Sequence, residues 1–429
     1  MRKYITDYSS KAFYSCIFLI YFVNFLPLTL NLEIYFLLRY GSSRDYSLQN
    51  ILIYFLYVIA FSIISTASSF EFKSIFISFS NIIKKLFYWI YSSFAVRSFT
   101  LIALISKLIL FIKIGLYSRH DDVFRVQSTG FLGIAYTFTV YYLQNYLLFE
   151  TIYYFSQRDS RSKKQKISFI CALLGYMILI NSSLTTILLL IVIIYNFNWL
   201  RELDFSREIK RIFIKSKIKF NFIFLIIFIP ALTVISISAG FINKSISSFN
   251  NALTDVNGTI LNVFVRLTTH SDSLFRLING CDLECKFFNP FSGILWRLSY
   301  LLDKSSYAGE ILTPNRINFL NTFSEVYAER FDTAGSSPGI LASFLLGEPI
   351  LITFIFVLLI CGYFIFNMRL MFRSIGFSFK SFILYLLAFL ITLASPLDYL
   401  LIFTPSLLTI VFLGVYGLRV KKRDEVFLR

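Results

Sequence analysis

Apolar side chains dominate this chain in runs of roughly 17 to 25 residues, broken by short polar clusters rich in Lys and Arg. Runs of that length suit helices that cross a bilayer core of about 30 Å. The pattern predicts spans near 12–38, 51–69, 98–117, 128–156, 167–180, 184–200, 220–240, 346–366, 381–395 and 399–416. The pair within 167–200 reads equally as two short spans or as a re-entrant hairpin, because 34 residues barely hold two full crossings. The first run continues from Ala12 toward Leu38 without a small-residue cleavage site and reads as a span rather than a signal peptide. The fold class expected is an all-α polytopic membrane protein of about ten, at most twelve, transmembrane helices. Its parts are a membrane bundle of about seven spans over 1–240, a large loop over 241–345, and about three spans with a basic tail over 346–429.

Composition agrees with that reading, since 57% of the 429 residues are hydrophobic and only 15% are charged, a balance that does not make a soluble surface. The formal charge of +17 raises the question of nucleic acid, but the basic residues are spread in short clusters between apolar runs. Their placement gives orientation instead. With the N-terminus inside, the inside segments hold 27 Lys and Arg, against 4 in the short outside loops. Both termini are therefore expected to be cytoplasmic. The stretch Leu86–Val96, with Trp89 and Tyr91, reads as another span or as a helix at the membrane interface, and the charge count favours the interface.

The loop at 241–345 would face the periplasm, and it carries helical apolar patterning at 259–279 and 291–302. It also holds the unusual polar residues: Arg266, His270, Asp272, Arg276, Arg297, Arg316, Glu325, Arg330 and Asp332. Arg266 and His270 stand four apart and would share a helix face, and the planar fork of Arg matches two phosphate oxygens at once. The competing reading of any single one is a solvated loop charge. Cys281 and Cys285 suit a small disulfide in an oxidising compartment. Two cysteines and one nearby histidine make a poor zinc site, and Cys16, Cys171 and Cys361 sit in apolar runs as packing residues. The loop ends in Gly335-Ser336-Ser337-Pro338-Gly339, where a Ser before a Pro predicts a helix start. Its free N–H groups and positive dipole end would favour a phosphate at the outer surface.

The Gly-Ser-Ser-Pro-Gly segment, the apolar stretch after it and Gly347, all following a large periplasmic loop, resemble the O-antigen polymerase (Wzy) family. The likeness extends to ten or more spans, cytoplasmic termini and an Ile-, Phe- and Tyr-rich composition, and Phe344 stands where that family often has an aromatic residue. A family turn that often holds a Ser-Arg pair reads Ile180-Asn181-Ser182-Ser183 here, without the Arg. The resemblance implies a fold like the multi-spanning lipid-linked glycosyltransferases (GT-C-like). It also implies a bacterial inner-membrane enzyme that moves a polymer from undecaprenyl diphosphate onto an incoming lipid-linked repeat unit, with no metal and no cofactor. The partners implied are the undecaprenyl-diphosphate-linked oligosaccharide, membrane lipids and a chain-length regulator, and no nucleic acid.

Such a transfer needs cations or oriented N–H groups for the departing diphosphate, a base for the acceptor hydroxyl and an apolar groove for lipid. The residues chosen for diphosphate and catalysis are Arg266 and Arg276, with Arg297, Arg316, Ser336, Ser337 and Gly339 behind them. His270, Asp272 and Glu325 are the candidate bases. Rival readings are a lipid-linked oligosaccharide flippase, disfavoured by the long loop and the lack of an internal repeat, and an O-antigen ligase, which differs only in acceptor. A sugar acyltransferase would have only His120 and His270 as histidine bases. Lys107 inside the third span is expected to pair with an acid such as Glu150, while Lys113 would reach the interface. Pro27, Pro230 and Pro405 are expected to kink their helices.

Overall fold

The structure, a computed structural model, describes residues 7–25, 47–114, 131–157, 162–179, 183–202, 270–279, 285–295, 313–322, 338–373, 378–401 and 404–427. Among them all regular structure is helical, with one isolated bridge between Phe288 and Gly347. The main helices, in order, are α1 (Tyr8–Ile17), α2 (Leu48–Glu71), α3 (Lys73–Phe87), α4 (Ser93–Ile114), α5 (Phe131–Gln157), α6 (Lys163–Leu179) and α7 (Ser183–Glu202). They continue with α8 (270–279), α9 (Pro314–Thr322), α10 (Gly339–Leu346), α11 (Ile350–Met371), α12 (Phe379–Leu393) and α13 (Leu407–Phe427).

Two of these, α2 and α11, are long and apolar enough to cross a membrane. A third crossing is added if Lys73–Tyr91 and Ser93–Ser106 are counted as one bent span. Helices overlie the expected spans at 51–69, 98–117, 128–156, 167–180, 184–200 and 381–395. The expected span at 220–240 lies outside the described residues, as do Pro27 and Pro230.

The chain forms two compact units, Met1–Tyr88 with Asn257–Arg429, and Trp89–Val256. In the second unit α4 packs on α5 and α6, and α7 on α5. The Phe99 ring stacks on Tyr142 at 3.8 Å, and the Tyr142 hydroxyl donates to the Ile90 carbonyl. Asn196 Nδ2 donates to Thr151 Oγ1 at 3.0 Å, a buried amide–hydroxyl bond between α7 and α5. Such bonds tie helices together where water cannot serve their polar groups. Glu150 is buried on α5, whereas the Lys107 side chain expected to meet it lies outside the described ones.

In the first unit α2 and α11 lie side by side and run the same way. Ser68 Oγ donates to the Leu358 carbonyl and Arg369 Nη2 to Ser69 Oγ, while at the other end Tyr57 Oη reaches the Leu341 carbonyl just before α11. Helix α1 packs between them in the opposite sense, with Asp7 beside Arg369 and Tyr21 beside Leu341. On the orientation expected from the charge pattern, the first of these ends would lie inside and the second outside. Gly414 of α13 sits against the Tyr363 hydroxyl, which any side chain there would displace.

Several boundaries differ from the pattern. The run expected to span 346–366 is broken at Gly347, where Phe288 N donates to the Leu346 carbonyl and Glu348 N to the Phe288 carbonyl, and α11 starts only after Pro349. A backbone that pairs sideways cannot also continue a helix. The run expected at 399–416 holds a 3-10 turn at Pro396–Leu400, and its helix begins at Leu407, so Pro405 precedes α13 and kinks nothing. Much of the segment 70–97, which the pattern leaves between two spans, is the helix α3, with Phe76, Ser80 and Ile83 buried against α11 and α13. Leu86–Val96 is divided at Ser92, whose hydroxyl accepts from Ala95 N and so caps α4.

Candidate functional site

Helix α8 carries three of the sequence-chosen residues, His270, Asp272 and Arg276. Asp272 and Arg276, four apart, share a face, and both are buried. The helix is anchored at its start, where Ser271 Oγ donates to the Ile20 carbonyl at 2.8 Å. Two residues later Ser273 Oγ accepts from Asn318 Nδ2 of α9 at 3.0 Å, a buried bond joining two helices of the segment 241–345.

Helix α9 has the start that its sequence dictates. Pro314 stands at the first position, and Thr313 Oγ1 accepts from Arg316 N at 3.3 Å. That start turns Arg316 inward to 9% exposure, with its guanidinium 5.5 Å from the centre of the Phe319 ring. At the far end Asn321 clasps the Lys286 backbone, accepting from its N–H at 2.8 Å and donating to its carbonyl at 2.7 Å. The next-door Cys285 is disulfide-bonded, whereas Cys16, Cys171 and Cys361 are free thiols. Cys281 lies outside the described residues.

Gly339 joins this group through its backbone. Its φ of 71° is a left-handed conformation that suits Gly, and a Cβ there would come within 2.6 Å of Tyr21 Oη and 2.7 Å of His270 Nδ1. The expected phosphate seat at this helix start is corrected by the bonds observed. Gly339 N donates to the Ala394 carbonyl at 2.8 Å, and Leu341 N to Tyr21 Oη at 3.1 Å. Two of the first N–H groups are thus already occupied by the protein. Pro338 stands before the helix and not at its first position, and it makes no side-chain cap.

Sequence reasoning missed Asp398. It lies on the 3-10 turn between α12 and α13, at the end of the unit where Gly339 meets Ala394. Its residue keeps a partly exposed edge, yet the carboxyl is enclosed, with Asn315 Nδ2 of α9 at 3.5 Å from Oδ2. Burial pushes the carboxyl from its ordinary 3.8 up to about 6, against the lowering effect of the polar Ser395 and Asn315 side chains beside it. The signal was present in the sequence, because Asp398 is the sole acid between Glu348 and Asp424.

The structure therefore gathers His270, Asp272, Arg276, Arg316 and Gly339 from three segments of the loop, with Asp398 and Tyr21 from elsewhere in the chain. Arg266, Arg297, Glu325, Ser336 and Ser337 lie outside the described residues, as do Arg330 and Asp332. No group of three or more metal-ligating side chains occurs among the described residues. The chain matches no protein-family model, no curated protein and no solved structure.

Proposed function

We propose that this chain is a polytopic inner-membrane glycosyltransferase of the O-antigen polymerase kind. In this reading it joins undecaprenyl-diphosphate-linked oligosaccharides at the periplasmic face, with both termini cytoplasmic. The observation that carries the reading is the burial of Asp272, Arg276 and Arg316 in a segment that the charge pattern places outside the membrane. Charges that merely keep a loop in water stay exposed, since enclosing an ion costs several kcal/mol unless structure compensates it. Cations enclosed beside an acid in this way are suited to receiving an anionic group.

In the reaction, the bond between the donor sugar's anomeric carbon and the diphosphate oxygen breaks, and an acceptor hydroxyl oxygen bonds to that carbon. The hydroxyl proton passes to a carboxylate or imidazole, and the diphosphate departs on its lipid. Arg276 and Arg316 would neutralise the charge growing on the diphosphate, each with a flat, fork-shaped donor set. His270, Asp272 and Glu325 remain the bases chosen from the sequence. Asp398 joins them, because a carboxyl titrating at about 6 is matched to accepting a proton near neutral pH. Gly339 would keep the Tyr21 and His270 side chains close across a backbone that no larger residue permits.

The deciding experiment deletes the gene in its host and resolves surface lipopolysaccharide on a gel. A single band of core plus one repeat unit supports a polymerase. Bare core would replace this reading with a flippase or a ligase, and an unchanged ladder would remove all three.

A further inference from the structure

At the opposite end of the first unit, the ends of four helices enclose a cavity of about 780 Å³, open to its surroundings. Asp7, Glu71, Lys73, Arg369 and Arg373 supply its charge. Its centre is a built structure. Arg369 Nε donates to Asp7 Oδ2 at 2.8 Å, its Nη2 to Ser69 Oγ at 3.0 Å, and its guanidinium lies 3.7 Å from the centre of the Phe70 ring. Asp7 is thereby committed, since it also accepts from Ser10 N at 2.8 Å as the cap of α1. With the Asp7 and Arg369 charges set against each other, Glu71, Lys73 and Arg373 leave the lining a net charge of +1. Lys73 and Arg373 stand at exposed positions on its rim, and no side chain caps the start of α3 at Lys73.

The rest of the lining is apolar or aromatic, with Phe366, Leu370 and Phe372 among it. A small soluble anion has no use for such a wall, whereas an amphiphile does. Just beyond the cavity, α3 buries Phe76, Ser80 and Ile83 and exposes Ile75, Phe79, Ile82 and Leu86, with Lys84 and Lys85 in its last turn. One face made of large apolar side chains, flanked by lysines, is the pattern of a helix lying in the headgroup layer.

We propose that this cavity binds the phosphate diester headgroup of an anionic phospholipid of the inner leaflet, held by Lys73, Arg373 and the start of α3, with its acyl chains along the exposed face of α3. The anionic inner surface attracts nearby cations, which favours such a lipid over a neutral one. The inference rests on the membrane reading and on the inside placement of 70–97 and 367–380, and it is independent of glycosyl transfer.

The test uses the full chain, purified in a neutral detergent, and follows thermal unfolding with phosphatidylglycerol, phosphatidylcholine or inorganic phosphate added. Phosphatidylglycerol should raise the midpoint by roughly 2–4 °C over phosphatidylcholine. The Lys73→Gln/Arg373→Gln double variant should lose that difference and keep its midpoint in phosphatidylcholine. An equal rise with either lipid, a full rise in the double variant, or the same rise from inorganic phosphate alone would each overturn the proposal. If the double variant does not fold, Lys73→Gln alone is compared by native mass spectrometry, where retention of phosphatidylglycerol equal to that of the wild type is the overturning result. Extraction of the chain from membranes by alkaline carbonate would instead signal failure of the membrane reading itself.

Discussion

The two ends of the Met1–Tyr88 and Asn257–Arg429 unit handle charge in opposite ways. At one end the Asp7–Arg369 pair keeps 24% and 21% exposure. At the other end Asp272, Arg276 and Arg316 are buried to 9% exposure or less, and the Asp398 carboxyl is enclosed and resists ionisation. The first arrangement costs little to maintain and stabilises little. The second carries the larger desolvation cost, and that end is where chemistry is proposed. Substitutions that treat the two ends alike should therefore have unequal effects.

The largest effect is expected at the arginines. Arg276→Lys and Arg316→Lys keep a charge but lose the bidentate fork, so each should cut polymer formation at least tenfold, read as loss of the long bands on a lipopolysaccharide gel. Protein amount in the membrane should stay near that of the wild type, and a normal ladder in both variants would remove the diphosphate site. Gly339→Ala comes next. The new methyl group meets Tyr21 and His270 at a left-handed backbone position, which should cost about 1–3 kcal/mol, measured as a lower unfolding midpoint in detergent.

Asp398→Asn should act in the other direction on stability and depend on pH. A carboxyl whose folded value, about 6, lies above its ordinary 3.8 favours the folded state at pH below 3.8, and that contribution is lost as pH rises through 6. Asn imitates the protonated acid at every pH. The variant should therefore be more stable than the wild type by roughly 1–3 kcal/mol at pH 7.5 and equal to it near pH 4. Lost polymer formation in this more stable protein would make the carboxylate a participant in the reaction. The smallest effect is expected at the Asp7–Arg369 end. Asp7→Asn keeps the α1 cap while removing the charge, and should change stability by about 1 kcal/mol or less.

What was legible in the sequence followed from one-dimensional pattern. Apolar runs located α2, α4 to α7 and α12, because a helix buried or lipid-facing on most sides needs apolar residues throughout. The pattern failed where a partner far along the chain decides the outcome. Nothing near Gly347 announces that Phe288 pairs with its neighbours, so the break before α11 looked like continuous span. The helix start at Gly339 looked open to phosphate because the hydroxyl that fills it belongs to Tyr21, 320 residues from Leu341. Helix α3 was hidden by its own amphipathic character, since lysines at Lys73, Lys84 and Lys85 gave the segment the charge signature of a loop. Of the proposed site, the residue types in the loop were readable, whereas the Ser273–Asn318 link and the enclosure of Asp398 were not.

The bond between Tyr21 and Leu341 also sets a schedule. A ribosome adding about 5–20 residues each second needs roughly 16–64 s to travel from the first of these residues to the second. Ile20 waits nearly as long for Ser271, and Ser9 waits longer for the Ile365 carbonyl. Throughout that interval the first helix of the chain is already made while the surfaces that complete it do not exist. Its hydroxyls and carbonyls must be served meanwhile by water, by whatever surrounds the growing chain or by one another. The opening residues of this protein are thus among the last to reach their final surroundings.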